Sequence, residues 1–284
     1  MGLFRFGVSA PPLVRRQDWQ DRARMLEALG YSTLLMPDHL GSPSCFAPLV
    51  SAAEATTSLR VGTLVANNDF FHPRRLAQEA TTVDLLVDHR FELGLGSGWK
   101  KSEYNELGVP YDVPSVRAGR LAAAIREMRD VWSAAGSFHP PMLIGGHSDP
   151  ILRLAASEAT TVGLTGLTWS GGGLRPTGIG ARAVSERVEF VRHAAGSRRD
   201  QLEFNALVQV VEMGAGAGRA AEIADGYGLS EATVSGSPFI LLGDTDAVVD
   251  KLLKVREVLN ISYFVVFDHF ANDFAPVVAR LAGK

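Results

Sequence analysis

Short apolar runs alternate with segments of helical period along the chain, the pattern of parallel strands joined by crossover helices. The runs fall at residues 4–8, 33–36, 60–65, 91–94, 142–145, 161–164, 204–211 and 263–267. Helical stretches follow at 46–56, 76–87, 120–132, 151–159, 181–195, 219–228, 245–259 and 274–282. In the first crossover, Asp18 is expected to cap a helix with Asp21 in its first turn, and Gly30 to stop it in a left-handed conformation. Eight strands with helices between them, in a chain of 284 residues, predict a closed (β/α)₈ barrel forming one domain over 1–284, with an open doubly wound sheet as the alternative. Two stretches break the rhythm: the Gly-rich segment 166–180, after the sixth strand, and 227–243. The first lies on the face where barrels keep their chemistry and is expected to be either a functional loop or a disordered insertion.

Composition narrows the function classes. With 46% hydrophobic residues and 21% charged ones the chain can bury a large core. A balance of 28 basic against 31 acidic residues leaves a formal charge of −3, so no global field favours nucleic acid or an anionic membrane. No apolar run reaches the ~20 residues of a membrane span, and a core strand starting close to Met1 leaves no room for a signal segment, so a cytoplasmic protein is expected. The single cysteine, Cys45, is expected to be structural.

Polar residues just past the C-terminal ends of barrel strands are the candidates for chemistry. Asp38 and His39 follow the second strand; Asn67, Phe70, Phe71 and His72 follow the third; the segment from Gly94 to Tyr104 follows the fourth; and Gly145-Gly146-His147-Ser148-Asp149-Pro150 leads from the fifth into a helix. In the last of these, two glycines allow close backbone approach, Ser148 or Asp149 can cap, and Pro150 suits a first helical turn. Together they outline a phosphate site, although an ordinary strand-to-helix turn would look the same. A metal centre finds little support, because the histidines form neither a His-x-His nor a His-Glu-x-x-His pair. Trp99, Phe70, Phe71 and Trp169 are candidate walls of a substrate pocket, or core.

Taken in order, Asp38-His39, Gly62-Thr63-Leu64-Val65 with His72-Pro73, Gly94-Leu95-Gly96-Ser97-Gly98-Trp99 with Glu103-Tyr104, and Ile144-Gly145-Gly146 before Leu152-Arg153-Leu154 resemble the luciferase-like monooxygenase family. More narrowly, they resemble its branch that uses the deazaflavin coenzyme F420. The resemblance implies a (β/α)₈ barrel, F420 or FMN across the strands' C-terminal ends, and a homodimer. It places Asp38 against the cofactor ring, His39 at the reacting carbon, a cis peptide bond between Leu64 and Val65 beneath the ring, and Asn67 at the ring side or the ribityl chain. Gly96, Ser97 and Ser102 match the cofactor-lining segment after the fourth strand, and Gly145, Gly146, His147 and Ser148 match the phosphate loop. Trp99 stands where sugar-phosphate dehydrogenases of the branch carry a glutamate, which speaks against a glucose-phosphate substrate. An F420-dependent oxidoreductase is therefore expected, reducing a C=C or C=N bond with His39 handling the proton. The alternatives are an FMN-dependent monooxygenase and a flavin-binding relative without turnover.

Overall fold

The computed structural model describes residues 2–11, 15–136, 138–170 and 173–284. From the N-terminus the elements are β1 (Arg5–Ser9), α1 (Arg16–Ala28), β2 (Thr33–Met36), α2 (Phe46–Glu54), β3 (Arg60–Thr63), β4 (Ala66–Asn67), α3 (Pro73–Leu86) and β5 (Phe91–Gly96). Then come α4 (Lys101–Leu107), α5 (Pro114–Ala134), β6 (Met142–Gly145), α6 (Asp149–Glu158), β7 (Thr161–Leu164), β8 (Leu167–Ser170), β9 (Gly173–Pro176) and α7 (Ala181–Ala195). The chain ends with β10 (Glu203–Leu207), β11 (Val210–Met213), α8 (Arg219–Tyr227), α9 (Glu231–Gly236), β12 (Ile240–Gly243), α10 (Thr245–Leu259), β13 (Ile261–Phe267) and α11 (Ala271–Leu281).

The parallel strands run β3-β2-β1-β13-β10-β7-β6-β5-β4, and pairing of β3 with β5 closes the ring. The fold is the expected (β/α)₈ barrel, in which β3 and β4 together supply the third strand. Outward-facing apolar residues such as Phe6, Leu34, Val61, Phe91, Val162 and Phe264 pack against the helix ring. The N-terminal end of the barrel is plugged by ions: Arg5 bridges Glu92 and Glu203 at 2.5 and 2.9 Å, and Arg60 reaches Glu92 at 2.6 Å. Those pairs occupy one end of the barrel and leave the other open for a ligand.

Several predicted boundaries move, each for a local reason. Asp18 is not the cap of α1: the helix starts at Arg16 after Arg15, and Asp18, inside its first turn, pairs with Arg15 at 2.8 Å. Gly30 does adopt φ +86° past the helix end. Helix α3 starts at Pro73 because the His72 ring accepts from the Arg74 N–H at 3.3 Å, and α5 starts at Pro114, well before residue 120. The apolar run 204–211 splits, since β11 leaves the barrel to pair with the unpredicted β12. Within segment 166–180, β8 and β9 form an antiparallel hairpin, with Leu167 opposite Pro176 and Thr168 opposite Arg175. The Trp169 side chain, and Gly171 and Gly172, lie outside the described residues. Cys45 is buried, and burial pushes its thiol up to about 12.

Lys251 on α10 is half-buried, its ammonium donating to the Ile240 carbonyl at 2.6 Å, with no carboxylate paired to it among the described residues. Burial lowers it to about 8, so between that value and its unfolded 10.5 the unfolded chain binds the extra proton and stability rises with pH. Denaturant titrations should show wild type gaining on Lys251→Met from about pH 7 to 10, by up to ~3 kcal/mol. A difference that stays constant with pH would show that the ammonium is not desolvated.

Candidate active site

All the barrel strands end on one cavity of about 570 Å³, a size that suits a cofactor or drug-sized ligand. Its floor follows from strand register. Asn67 pairs with Gly96, Gly145 with Gly163, and Gly163 with Asn205, while Gly96 and Gly145 follow the paired Leu95 and Ile144. One rung of the barrel therefore reads Asn67, Gly96, Gly145, Gly163, Asn205, and every member lines the cavity. Three adjacent glycines make that rung flat.

Above the glycines sits the irregularity in the third strand. Gly62 pairs with Glu92 and Ala66 with Leu95, so four steps on one strand match three on the other and one residue bulges out. The bond between Leu64 and Val65 is cis, as the resemblance implies. Val65 projects over the floor, where a Cβ on Gly96 would stand 2.6 Å from its Cγ2. A Cβ on Gly94 would overlap the Thr63 carbonyl.

The polar groups at the rim come from different connections. Asp38 Oδ2 accepts from the Asn67 N–H at 3.0 Å. Burial pushes the Asp38 carboxyl up from its ordinary range, opposed by that N–H and by His39. The His39 ring makes its hydrogen bond elsewhere: Nδ1 lies 2.9 Å from Glu103 Oε1, an oxygen shared with Lys100 Nζ at 2.9 Å. Trp99 meets the His39 ring edge-on, with centroids 5.9 Å apart. Helix α4, which carries Glu103, is held by Tyr104, whose hydroxyl is within reach of Asn67 Oδ1, Asp69 Oδ2 and the Ser97 carbonyl at 3.0 to 3.2 Å. Gly98, at φ +71°, leaves the room that this hydroxyl needs.

Of the residues singled out from sequence, Asp38, His39, Leu64, Val65, Asn67, Gly96, Ser97, Trp99, Gly145, Gly146 and His147 line the cavity. Four others do not. Phe70 packs on Tyr104 behind the wall, ring centroids 5.0 Å apart, because a short 3₁₀ turn after β4 carries it away from the mouth. Phe71 packs on Phe46 in the core. Ser102 is exposed on the outer face of α4, and Ser148 is exposed at the N-cap of α6 without a side-chain capping bond. The phosphate loop is reshaped as well. The Gly146 N–H is spent on the Gly163 carbonyl at 3.2 Å, and a Cβ at Gly146 would clash with Ile151, so packing on α6 already requires that glycine. The N–H groups of His147, Ser148 and Asp149 remain without a carbonyl partner among the described residues. Burial, then Arg187, pushes His147 below its ordinary imidazole value, with Asp149 opposing, so the cation beside this helix start is Arg187, 2.6 Å from Asp149.

Among the cavity residues that sequence left unassigned are Glu103, Lys100, Asn205 and Gln209. Glu103 stood inside a quoted motif, but its partner His39 is 64 residues away, and no local spacing records that contact. Asn205 Oδ1 is buried and has no hydrogen-bond partner among the described residues, an arrangement that an apolar strand run does not announce. Among the described residues no helix is long and apolar enough to cross a membrane, and no group of three His, Cys, Asp or Glu side chains is placed to hold a metal.

Two alanine variants check the floor. Gly94→Ala should destabilise by ~3 kcal/mol or more through backbone overlap. Gly145→Ala, whose Cβ would stand 3.4 Å from Val65, should melt near wild type. Equal melting temperatures for the two would remove the crowding at the bulge.

Comparison with known proteins agrees with this geometry. Residues 3–211 match the family model for the luciferase-like monooxygenase domain. An F420-dependent glucose-6-phosphate dehydrogenase of Kribbella flavida is 28% identical over 138 residues, 44% of this chain and 41% of that protein. The first curated relatives are matched over 38%, 26% and 60% of their own lengths, so the chain aligns with only part of each. Among solved structures, the coenzyme F420-dependent tetrahydromethanopterin reductase of Methanopyrus kandleri superimposes with a TM-score of 0.72 at 16% identity, covering 99% of both chains. A riboflavin lyase with modified FMN superimposes at 0.77 and 12% identity, covering 98% of this chain and 91% of that one. With most of its length matched to the family model, and the bulge, glycine floor and strand-end cavity in place, the chain belongs to the luciferase-like monooxygenase family.

Proposed function

We propose that this protein is an F420-dependent oxidoreductase that reduces an activated C=C or C=N bond of a small organic substrate. The observation that carries the proposal is His39, an imidazole at the mouth of a glycine-floored cavity, held at Nδ1 by Glu103 while Nε2 makes no hydrogen bond among the described residues. The residues present fit a flat tricyclic cofactor. Val65 and the glycine rung form a surface for a planar ring, and the buried Asn205 Oδ1 is an unused acceptor on the same rung. The free N–H groups at the start of α6, with its positive helix end and Arg187 nearby, suit a phosphate. Bound there, a deazaflavin supplies hydride-carrier chemistry, since it has carbon where flavin has the nitrogen that stabilises oxygen adducts.

The protein's own part is proton handling, orientation and exclusion of water. His39 gives a proton from Nε2 to the substrate atom next to the reduced centre, or takes it back in the reverse direction. Trp99 at the ring edge and Leu64 and Leu207 on the walls keep the cavity apolar around that exchange. FMN is the second cofactor to weigh, because a structural neighbour is described with modified FMN and a flat floor does not by itself distinguish the two rings.

A fluorescence titration should show F420 binding and FMN binding at least about tenfold more weakly, a difference of ~1.4 kcal/mol. Protein that takes up FMN and not F420 would favour a monooxygenase. His39→Ala should leave F420 affinity within about threefold while lowering the single-turnover rate by ~10²–10⁴-fold. A large loss of affinity with an unchanged rate would mean that His39 binds rather than transfers the proton.

A further inference from the structure

We infer that Glu103 is the positioning residue for His39, fixing its tautomer so that Nε2 is the nitrogen presented to the cavity. Glu103 is nearly covered, its side chain 5% exposed, and a buried carboxylate persists only when paired. Its Oε1 has two partners, His39 Nδ1 and Lys100 Nζ, each at 2.9 Å. A carboxylate accepts and never donates, so the hydrogen in the His39 contact belongs to Nδ1. The neutral ring then offers a lone pair at Nε2, and the protonated ring offers an N–H at the same atom with the carboxylate stabilising its charge.

Asp38, although adjacent in sequence, does not take this part, because its Oδ2 is engaged by the Asn67 N–H. The carboxylate also stands on a fixed support. Tyr104, next to Glu103 on α4, is anchored at Asn67, Asp69 and Ser97, and Asp69 is itself held by Arg120 at 2.6 Å. Lys100 is 41% exposed, and its contribution is to neutralise the carboxylate from the solvent side.

The consequence for turnover rests on the proton role proposed for His39, but the tautomer is measurable without any cofactor. Protein labelled with ¹⁵N-histidine, its His39 signals assigned by their loss in His39→Gln, should show the ring hydrogen on Nδ1 at about pH 8.5, well above the ordinary imidazole value. In Glu103→Met the hydrogen should leave Nδ1 in most molecules. With F420 added, the same variant should keep its affinity within about threefold and lose about 10- to 1,000-fold in single-turnover rate. A wild-type ring with a bare Nδ1 overturns the inference, and that measurement stands even if Glu103→Met does not fold. A folded variant with the wild-type tautomer or the wild-type rate overturns it as well. The expected tautomer in protein that binds no F420 would sink the cofactor proposal and leave the assignment of Glu103 intact.

Discussion

The close approach of the Leu64–Val65 bulge to the glycines of the neighbouring strands is the contact on which the rest of the site depends. One extra residue between β3 and β4 must go somewhere, and it goes toward the barrel interior over Gly94, Gly96 and Gly145. A side chain at Gly94 or Gly96 would meet the Thr63 carbonyl or Val65, so only glycine at those two positions lets the bulge and the strand pairing exist together. Thr63 Oγ1 seals the junction, accepting from the Gly94 N–H at 2.9 Å and donating to the Gly94 carbonyl at 2.7 Å. Pairing resumes at Ala66, which brings the Asn67 N–H to Asp38 and the Asn67 amide to Tyr104. The polar rim thus inherits its placement from a packing constraint among small residues.

The barrel divides its charges by function. At the N-terminal end Arg5, Arg60, Glu92 and Glu203 neutralise one another, while burial holds the Glu203 carboxyl above its ordinary range against the pull of Arg5. Removing one partner there would strand a buried charge, the costliest kind of truncation. At the C-terminal end the charges are each directed at a separate group. Asp38 braces the backbone of β4, Glu103 braces an imidazole, and Arg187 stands at the start of α6. One end is committed to stability and the other is free to bind, the division that barrels of this kind share.

Loops of such barrels carry function only when something rigid holds them. Here α4 and the start of α5 form that support: Arg117 donates to the carbonyls of Ser97 and Asp112, and Arg120 pairs with Asp69 and Asp112. Trp99, Lys100 and Glu103 reach the cavity from this braced segment, so the groups around His39 are set by a network that lies outside the barrel proper.

Alternating apolar runs and helical stretches determined the architecture by themselves, because a strand buried on both faces and a one-sided helix leave different periods in the sequence. The glycines of 94–98 and 145–146, with Asp38 and His39 after the second strand, were legible for the same reason: each answers a local demand on backbone or position. The resemblance placed the cis bond at Leu64–Val65 correctly. What sequence could not decide were contacts between distant segments. The hydrogen bond of His39 to Glu103 rather than to Asp38, the Gly146 N–H spent on Gly163, the rung that joins Asn205 to three glycines, and the turn that takes Phe70 out of the cavity all arise from strand register and helix packing. Those are properties of the closed barrel, in which residues 64 apart become neighbours, and no period along the chain encodes them.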